Sequence, residues 1–223
     1  MNKRLFSLVL SAFMAVGTWA QEGGVSISVN AGPQWSSHLG VTAGVDALIP
    51  FGKSRWGFEP GLYWSMRNTN VENTTKLTTD NTKSTITKEY SDKTHYISVP
   101  LRVALRVVGH DDSAFKMSLL FGPYLAYGLG GTSHCTVTKD GAVTKSQEDA
   151  FGDKGRLQSR FDYGLNMGIS AVVRHHVRIG VFTEIGLKDI YRPTSLAEDI
   201  IGDLLGGVTK VNTNVGVTVG YQF

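Results

Sequence analysis

The sequence predicts an all-β fold: a closed antiparallel up-and-down transmembrane β-barrel of eight strands, with long external loops and a short helix in the last loop. Three observations predict it. Eight segments alternate apolar with polar residues, their apolar faces carry no charged residue, and the connections between them alternate between short and long. The 223 residues fit one domain.

The first twenty residues form a segment of their own. A basic start at residues 2–4 precedes an apolar run at 5–16 and a small-residue cleavage site at 18–20. This order predicts a secretory signal peptide at 1–20, followed by the barrel domain at 21–223. The apolar run is too short to span a bilayer.

Charge and cysteine content narrow the function classes. Removing Lys3 and Arg4 with the signal peptide leaves 20 basic residues (22 less 2) against 19 acidic ones, which predicts no nucleic-acid partner. Cys135 is the single cysteine, so the chain can form neither an internal disulfide nor a Cys-x-x-Cys metal site. We interpret Cys135 as an incidental loop thiol, and we predict no cofactor and no metal.

The last segment shows the alternation most clearly. Its apolar face consists of Val211, Thr213, Val215, Val217, Val219, Tyr221 and Phe223. Similar alternation predicts the other strands, at 178–187, 161–173, 97–107, 115–129, 56–67, 40–49 and 25–32. Because successive side chains of a strand point to opposite faces, each segment lies between two different environments.

The charged residues of these segments all fall on the polar faces. They are Asp46, Glu59, Arg67, Arg102, Arg106, Lys116, Asp162, Arg178, Glu184 and Lys188. A soluble barrel would also alternate, with its polar side chains in water. Eight charge-free apolar faces favour lipid on the outside instead, because a Lys or Arg at the bilayer midplane costs roughly 2–4 kcal/mol.

The connections support the same topology. The links after the third, fifth and seventh strands are long, at 68–94, 130–158 and 190–208, and we place them at the external rim. Residues 70–93, rich in Thr, Asn and Lys, predict either a solvated loop or a hairpin turning near Asp80. Residues 196–205 have helical apolar spacing that ends at Gly206. The three prolines inside predicted strands, Pro60, Pro100 and Pro123, predict bulges or strand ends.

The charges inside the barrel form the main candidate site. Asp46, Glu59 and Glu184 are expected to pair with Arg102 and Arg106. An eight-stranded barrel is only wide enough inside to be filled by side chains. We therefore predict a structural ion-pair network that plugs the barrel, and a narrow charged pore is the alternative. The near balance of signs favours the plug, because unpaired buried charge is costly.

Six short stretches carry a family resemblance. They are residues 40–45, 57–63, 96–101, 121–125, 161–165 and 217–223. They resemble the outer-membrane β-barrel family common in Bacteroidetes, described as porin-like or PorT-like. The resemblance implies location in the outer membrane of a Gram-negative cell and transfers no catalytic residues. Tyr221 and Phe223 look like the C-terminal signal that barrel-assembly machinery reads.

Three functions remain open. The first is a non-enzymatic barrel that contacts outer-membrane lipid and binds a protein or glycan at external loops 70–93, 130–158 and 191–207. The second is a narrow channel or an accessory component of an envelope secretion system. The third is a rim-sited lipid hydrolase or acyltransferase, built from His38, His95, His134, Ser36, Ser37, Ser133 and Asp92. Because no spacing among these residues is distinctive, no enzymatic activity is expected.

Overall fold

The computed structural model describes residues 24–79, 82–110, 113–139, 142–151, 157, 159–189 and 211–223. The predicted signal peptide at 1–20, the turn at Asp80 and the predicted helix at 196–205 lie outside these residues. Within them, no helix is long and apolar enough to cross a membrane.

Nine strands make up the described fold. They are β1 Ser26–Trp35, β2 His38–Pro50, β3 Trp56–Thr79, β4 Thr82–Val108, β5 Phe115–Lys139, β6 Ala142–Asp149, β7 Phe161–Val173, β8 Val177–Asp189 and β9 Val211–Gln222. Every pairing is antiparallel, and eight strands form a ring in the order β1-β2-β3-β4-β5-β7-β8-β9. The predicted closed antiparallel barrel is confirmed, and β6 is an additional strand that pairs with β5 outside the ring.

The interior of the barrel is polar and its exterior is apolar. Along β1, Ser28 and Asn30 are 0% and 2% exposed, whereas Val29 between them is 49% exposed. Among the described residues, 22 polar or charged side chains are buried against eight hydrophobic ones, so the core is polar. In water, the band of apolar side chains on the exterior would be exposed to solvent, which is unfavourable. The distribution therefore fits an exterior that contacts lipid.

Aromatic rings mark two levels of the exterior. One belt lies beside the short connections at 51–55, 109–114 and 174–176, and we call this end of the barrel the turn rim. The exposed rings of this belt are Phe51, Trp56, Phe115, Tyr221 and Phe223. The other lies toward the opposite rim and consists of Trp35, Trp64, Tyr127, Phe161 and Tyr163. Amphipathic rings favour both interfaces of a bilayer, so the two belts bound the membrane-embedded part.

Three strands continue far beyond the upper belt. β3, β4 and β5 contain 24, 27 and 25 residues, whereas about 9–11 residues suffice for a spanning strand. Most of the predicted loops 68–94 and 130–158 are therefore strands: β3 pairs with β4 up to Thr79↔Thr82, and β5 with β6 up to Lys139↔Ala142. Of the two possibilities for residues 70–93, the hairpin is the one observed.

A bulge in β5 keeps its faces aligned with β4. His95 pairs with Gly130 and Tyr96 with Gly128, so Leu129 is an extra residue. The outward-facing positions of β5 consequently change from odd to even numbers at this level, and Ser133 is buried while His134 is exposed.

The three strand prolines do not produce the predicted bulges. On the two sides of Pro60 the β3–β4 register is the same, with Pro60↔Leu101 and Tyr63↔Ser98, and the register also holds through Pro100 and Pro123. Each proline removes one backbone donor, and the strands accept that loss without a shift.

Candidate functional site

Four charged side chains form a cluster near the turn rim. This lower cluster consists of Asp46 on β2, Glu59 on β3, Arg102 on β4 and Arg178 on β8. The same oxygen of Glu59, Oε1, lies 2.8 Å from Nη2 of Arg102 and 2.7 Å from Nη2 of Arg178. Nη2 of Arg102 also donates to Oδ1 of Asp46. The side chains of all four are at most 5% exposed, so the pairs are shielded from water.

Neutral hydrogen-bonding groups complete the lower cluster. Oδ2 of Asp46 accepts hydrogen bonds from Nδ2 of Asn30 at 2.7 Å and from the Tyr63 hydroxyl at 2.5 Å. Nη1 of Arg178 donates to Oγ of Ser28 at 3.3 Å. With two carboxylates and two guanidinium groups, the lower cluster balances its own formal charge.

A second cluster lies higher in the barrel. This upper cluster consists of Arg67 on β3, Asp162 on β7 and Glu184 on β8. Nη2 of Arg67 is 2.7 Å from Oε2 of Glu184, and Nη1 is 3.4 Å from Oδ2 of Asp162. The Arg67 guanidinium also lies over the Tyr96 ring, 4.6 Å from its centroid.

Hydrogen-bond donors surround the two upper carboxylates. Tyr124 and Asn212 donate to Asp162 at 3.1 and 2.8 Å. Ser98 and Asn166 donate to Glu184 at 3.1 and 3.3 Å. Ser98 and Asn166 satisfy Oε1 of Glu184, which Arg67 does not reach, whereas Tyr124 and Asn212 share Oδ2 of Asp162 with Arg67.

The predicted network is brought together only in part. Asp46 and Glu59 meet Arg102 as expected, but Glu184 pairs with Arg67 and not with Arg102 or Arg106. Arg106 lies at the turn rim, where its Nη2 donates to the Ser54 carbonyl at 3.4 Å.

Three charged members were missing from the predicted set: Arg67, Asp162 and Arg178. All three had the sequence signal that applied to the others, a charged residue on the polar face of an alternating segment. The alternation shows which side chains point inward, but it does not show which of them lie at the same height.

The two clusters leave little free space along the lumen. Between them is a cavity of about 30 Å³, lined by residues that include Ser65, Ser98 and Asn166. That volume holds only about one or two water molecules. Below the lower cluster a wider cavity of about 410 Å³ lies among residues of the turn rim, with Glu59 and Arg178 in its lining. The described lumen is therefore narrow between the two clusters and wider at the turn rim.

The residues considered for a hydrolytic site do not converge. Oγ of Ser133 donates to Asp92 at 2.5 Å, but the neighbouring His134 points to the opposite, exposed face. His95 stacks on Trp64 with ring centroids 5.7 Å apart, and His38 lies 3.4 Å from Nδ2 of Asn70. Among the described residues, no histidine ring contacts a serine hydroxyl, and no group of three His, Cys, Asp or Glu could hold a metal.

The end of β9 packs against the turn rim. The Phe223 amide donates to the Ile27 carbonyl at 2.8 Å. The Tyr221 ring stacks on His176 and meets the Phe223 ring edge-on, both at 5.0 Å between centroids. These rings belong to the exposed belt at this rim; recognition of Tyr221 and Phe223 by assembly machinery stays a prediction.

The chain is similar in fold to several solved structures. They include Ail, the attachment invasion locus protein of Yersinia pestis (12% identity, 89% of this chain and 96% of that chain, TM-score 0.32). The outer membrane enzyme PagL gives 12% identity over 89% and 98%, with a TM-score of 0.33. A major outer membrane protein from Thermus thermophilus gives 13% over 89% and 99%, with a TM-score of 0.38. A likeness at this level says nothing of function.

The family assignment comes from the sequence. No curated protein matches the chain significantly. A family model described as "Outer membrane protein beta-barrel domain" matches residues 14–192, which is 179 of the 223 residues. The chain therefore belongs to the outer membrane protein beta-barrel domain family and is a protein of the outer membrane.

Proposed function

We propose that this protein is a plugged, non-enzymatic barrel that binds an external protein or glycan through a polar sheet beyond the membrane. The sheet, here called the external sheet, comprises residues 69–79 of β3, 82–94 of β4, 131–139 of β5 and β6. At about 3.3 Å per residue, the eleven residues of β3 reach roughly 35 Å past the barrel rim. Short turns lie in the periplasm in such barrels, so this extension points outward from the cell.

One observation carries the proposal: the outward face of β4 changes character at the membrane boundary. Inside the barrel this face is Ile97, Val99, Leu101, Val103, Leu105 and Val107. Beyond His95 the same face continues as Lys93, Ser91 and Glu89, all exposed. A strand that stays ordered after it leaves the lipid, with charged groups on its surface, is suited to a polar partner.

The pairing of β4, β5 and β6 extends this change into a patch. Residues directly opposite each other in an antiparallel pair share a face. The outer patch therefore has three rows, Glu89–Thr136–Lys145, Ser91–His134–Gln147 and Lys93–Thr132–Asp149. All nine residues are polar, both charge signs are present, and the three from β6 are exposed. Mixed charge and many hydrogen-bonding groups favour a protein or glycan over a lipid surface.

Binding can be tested on cells that express the protein. Wild-type cells are expected to bind at least one member of an array of glycans and extracellular proteins. The triple variant E89A/S91A/K93A should lose that binding at least tenfold. The matched control T144A/S146A/E148A changes three residues on the other face of β6 and should bind normally. Absence of binding to the whole array, or equal binding by both variants, would contradict the proposal.

Conductance tests the channel alternative. The lower and upper clusters cross the lumen with 30 Å³ between them, which supports a closed path. The purified protein in a planar bilayer should show no regular single-channel steps. Steady steps that change size in R67M would support a channel and reject the plug.

The proposal of no enzymatic activity rests on the rim geometry. Ser133 contacts Asp92, whereas His134 points away from it, so no described histidine can act as the base for this serine. Incubation with lipopolysaccharide and phospholipid should give neither released fatty acid nor acyl transfer. Turnover that disappears in S133A would overturn it.

We also propose membership in the porin-like or PorT-like group. Three of the stretches that resemble it supply inward polar residues, namely Glu59, Ser98 and Asp162. A role as an accessory part of a secretion system would predict stable co-purification with other envelope proteins after mild detergent extraction. Purification as an isolated barrel would favour the binding role.

A further inference from the structure

The strand β6 has one edge that no described strand covers. It pairs with β5 from Thr132↔Asp149 to Lys139↔Ala142 and stands at the end of the strand order. Within the described part of the chain, every strand of the ring has a neighbour on both sides, whereas β6 has a neighbour on one side only. An uncovered strand edge presents a row of backbone N–H and C=O groups to which another chain can pair.

The hydrogen bonds between β5 and β6 show which backbone groups point to the open edge. The Ala150 amide donates to the Gly131 carbonyl at 3.0 Å, one step beyond Thr132↔Asp149 in the same register. In an antiparallel ladder, pairs that exchange hydrogen bonds alternate with pairs that do not. The even-numbered residues of β6 therefore bond to β5. The other four direct their N–H and C=O groups to the open edge, namely Val143, Lys145, Gln147 and Asp149.

This edge lacks most of the features that keep other chains from a sheet edge. β6 contains no proline, its register with β5 has no bulge, and all eight of its side chains are exposed. Its eight residues also exceed the usual strand length of about 5–6. At about 3.3 Å per residue, the outward N–H groups recur roughly every 6.6 Å, which is the repeat of an extended backbone.

We propose that the open edge of β6 binds an extended segment of an extracellular protein, which joins the external sheet as a further antiparallel strand. The inference rests on the proposed binding role of the external sheet and narrows the partner to a polypeptide. A second backbone supplies acceptors and donors at the same spacing as β6, so main-chain hydrogen bonds can form along the whole edge. A glycan has no such regular alternation.

The side chains along the edge indicate which peptide sequence is preferred. Lys145 and Asp149 lie four residues apart on the same face of β6 and are both exposed. Directly opposite residues of an antiparallel pair interact, and opposite charges favour the pairing. The bound strand should therefore have a basic residue opposite Asp149 and an acidic residue four positions later, opposite Lys145.

Fluorescence anisotropy with the purified barrel in neutral detergent tests the edge. The probe is a labelled, end-capped peptide, Lys-Thr-Thr-Thr-Glu-Thr-Val, and the control peptide has the same sequence with its first, third, fifth and seventh amides N-methylated. Q147P removes one donor from the open edge, and the residue before a proline can still be extended. Q147A is the matched variant, since it shortens the same side chain and keeps the donor. Heat-modifiable gel mobility verifies that each variant is folded.

Wild type and Q147A should bind the probe equally, and Q147P should bind it at least tenfold more weakly. The N-methylated peptide should not bind wild type, because four of its backbone donors are blocked. An equal loss in Q147A and Q147P, or no binding of the probe, would overturn the proposal. Equal binding of the two peptides by wild type would overturn it without any variant, so the test does not depend on the folding of Q147P.

The array of glycans and extracellular proteins separates this inference from the proposed function. The member that wild-type cells bind should be a protein, and cells with Q147P should bind it at least tenfold less than cells with Q147A. A bound glycan, or equal binding by the two variants, would overturn the edge inference and leave the proposed function standing. Absence of binding to the whole array would overturn the proposed function.

Sedimentation tests whether the edge pairs with a second copy of this chain. The purified wild type should sediment as a monomer in detergent, and so should Q147P. A wild-type dimer that becomes monomeric in Q147P would show that β6 pairs with another copy of itself, and would overturn the proposal of an extracellular partner.

Discussion

Arg67 on β3 and Glu184 on β8 form an ion pair at 2.7 Å across the full width of the barrel, since four steps of the ring separate their strands. Glu59 and Arg178 join the same two strands at 2.7 Å nearer the turn rim, with the charges reversed. Opposite walls are thus tied at two heights by pairs of opposite polarity. If β3 shifted along the barrel axis relative to β8, the oppositely charged side chains of both pairs would separate. The two pairs together therefore favour a single register between these strands.

Removal of Arg67 should destabilise the barrel strongly. R67M leaves Glu184 and Asp162 buried without their guanidinium partner, and breaking a buried pair in this way costs about 3–5 kcal/mol. The free energy of unfolding can be measured by urea titration in lipid vesicles, followed by tryptophan fluorescence. R174M, at an exposed turn, is the control and should change stability little. A change in R67M no larger than the control's would show that the upper cluster is not stabilising.

Arg102 and Arg178 should be coupled through Glu59. Each guanidinium approaches the same Oε1 atom, so a single loss leaves the carboxylate one partner and a double loss leaves it none. The cost of R102M/R178M should exceed the sum of the single costs by about 0.5–3 kcal/mol. The same urea titrations give all four corners of the cycle.

A triple variant tests whether the charge of Glu59 causes the coupling. Adding E59Q to the double variant removes the stranded charge and should recover part of the loss. Strict additivity of the two single variants, or no recovery with E59Q, would mean that Glu59 does not link them.

The face of β4 offers a depth-dependent test of the membrane boundary. Val103 is 41% exposed within the apolar band, whereas Ser91 is exposed on the same face in the external sheet. V103R places a charge in the hydrocarbon and should cost about 2–4 kcal/mol. S91R, a matched change beyond the lipid, should cost less than about 0.5 kcal/mol. If both variants lowered the free energy of unfolding in vesicles by a similar amount, the membrane boundary would not lie between Val103 and Ser91.

The ring of eight strands could be predicted from the sequence, but the lengths of β3, β4 and β5 could not. Within the lipid, alternation is visible because outward residues must be apolar; β7, predicted at 161–173, is observed at Phe161–Val173. Beyond the lipid both faces of a strand meet water or polar neighbours. The hydrophobic period then disappears, and the upper parts of β3, β4 and β5 were indistinguishable from loops.

Pairing within the interior was predictable only in part for a geometrical reason. Arg102 and Arg106 lie on the same face of β4, but four residues separate them by about 13 Å along the strand. That distance takes Arg106 from the lower cluster to the turn rim. The heights of Arg67, Asp162 and Arg178 likewise depend on the stagger between strands across the ring, which one-dimensional alternation does not contain.

The backbone conformation of the turn between β7 and β8 predicts how substitutions at His175 affect stability. Arg174 and His175 have φ values of 51° and 67°, and the His176 amide donates to the Val173 carbonyl at 3.2 Å. Left-handed backbone costs an ordinary side chain about 1–2 kcal/mol, and a β-branched one has the least tolerance for it. H175N should therefore be neutral or stabilising, because asparagine adopts this conformation readily, whereas H175V should lower the free energy of unfolding by about 1 kcal/mol or more. H110V, at an exposed turn residue without positive φ, is the control for loss of a surface histidine. If H175V and H110V gave the same unfolding curve, the left-handed backbone at His175 would not contribute to stability, and a different turn would have to connect β7 to β8 in the bilayer.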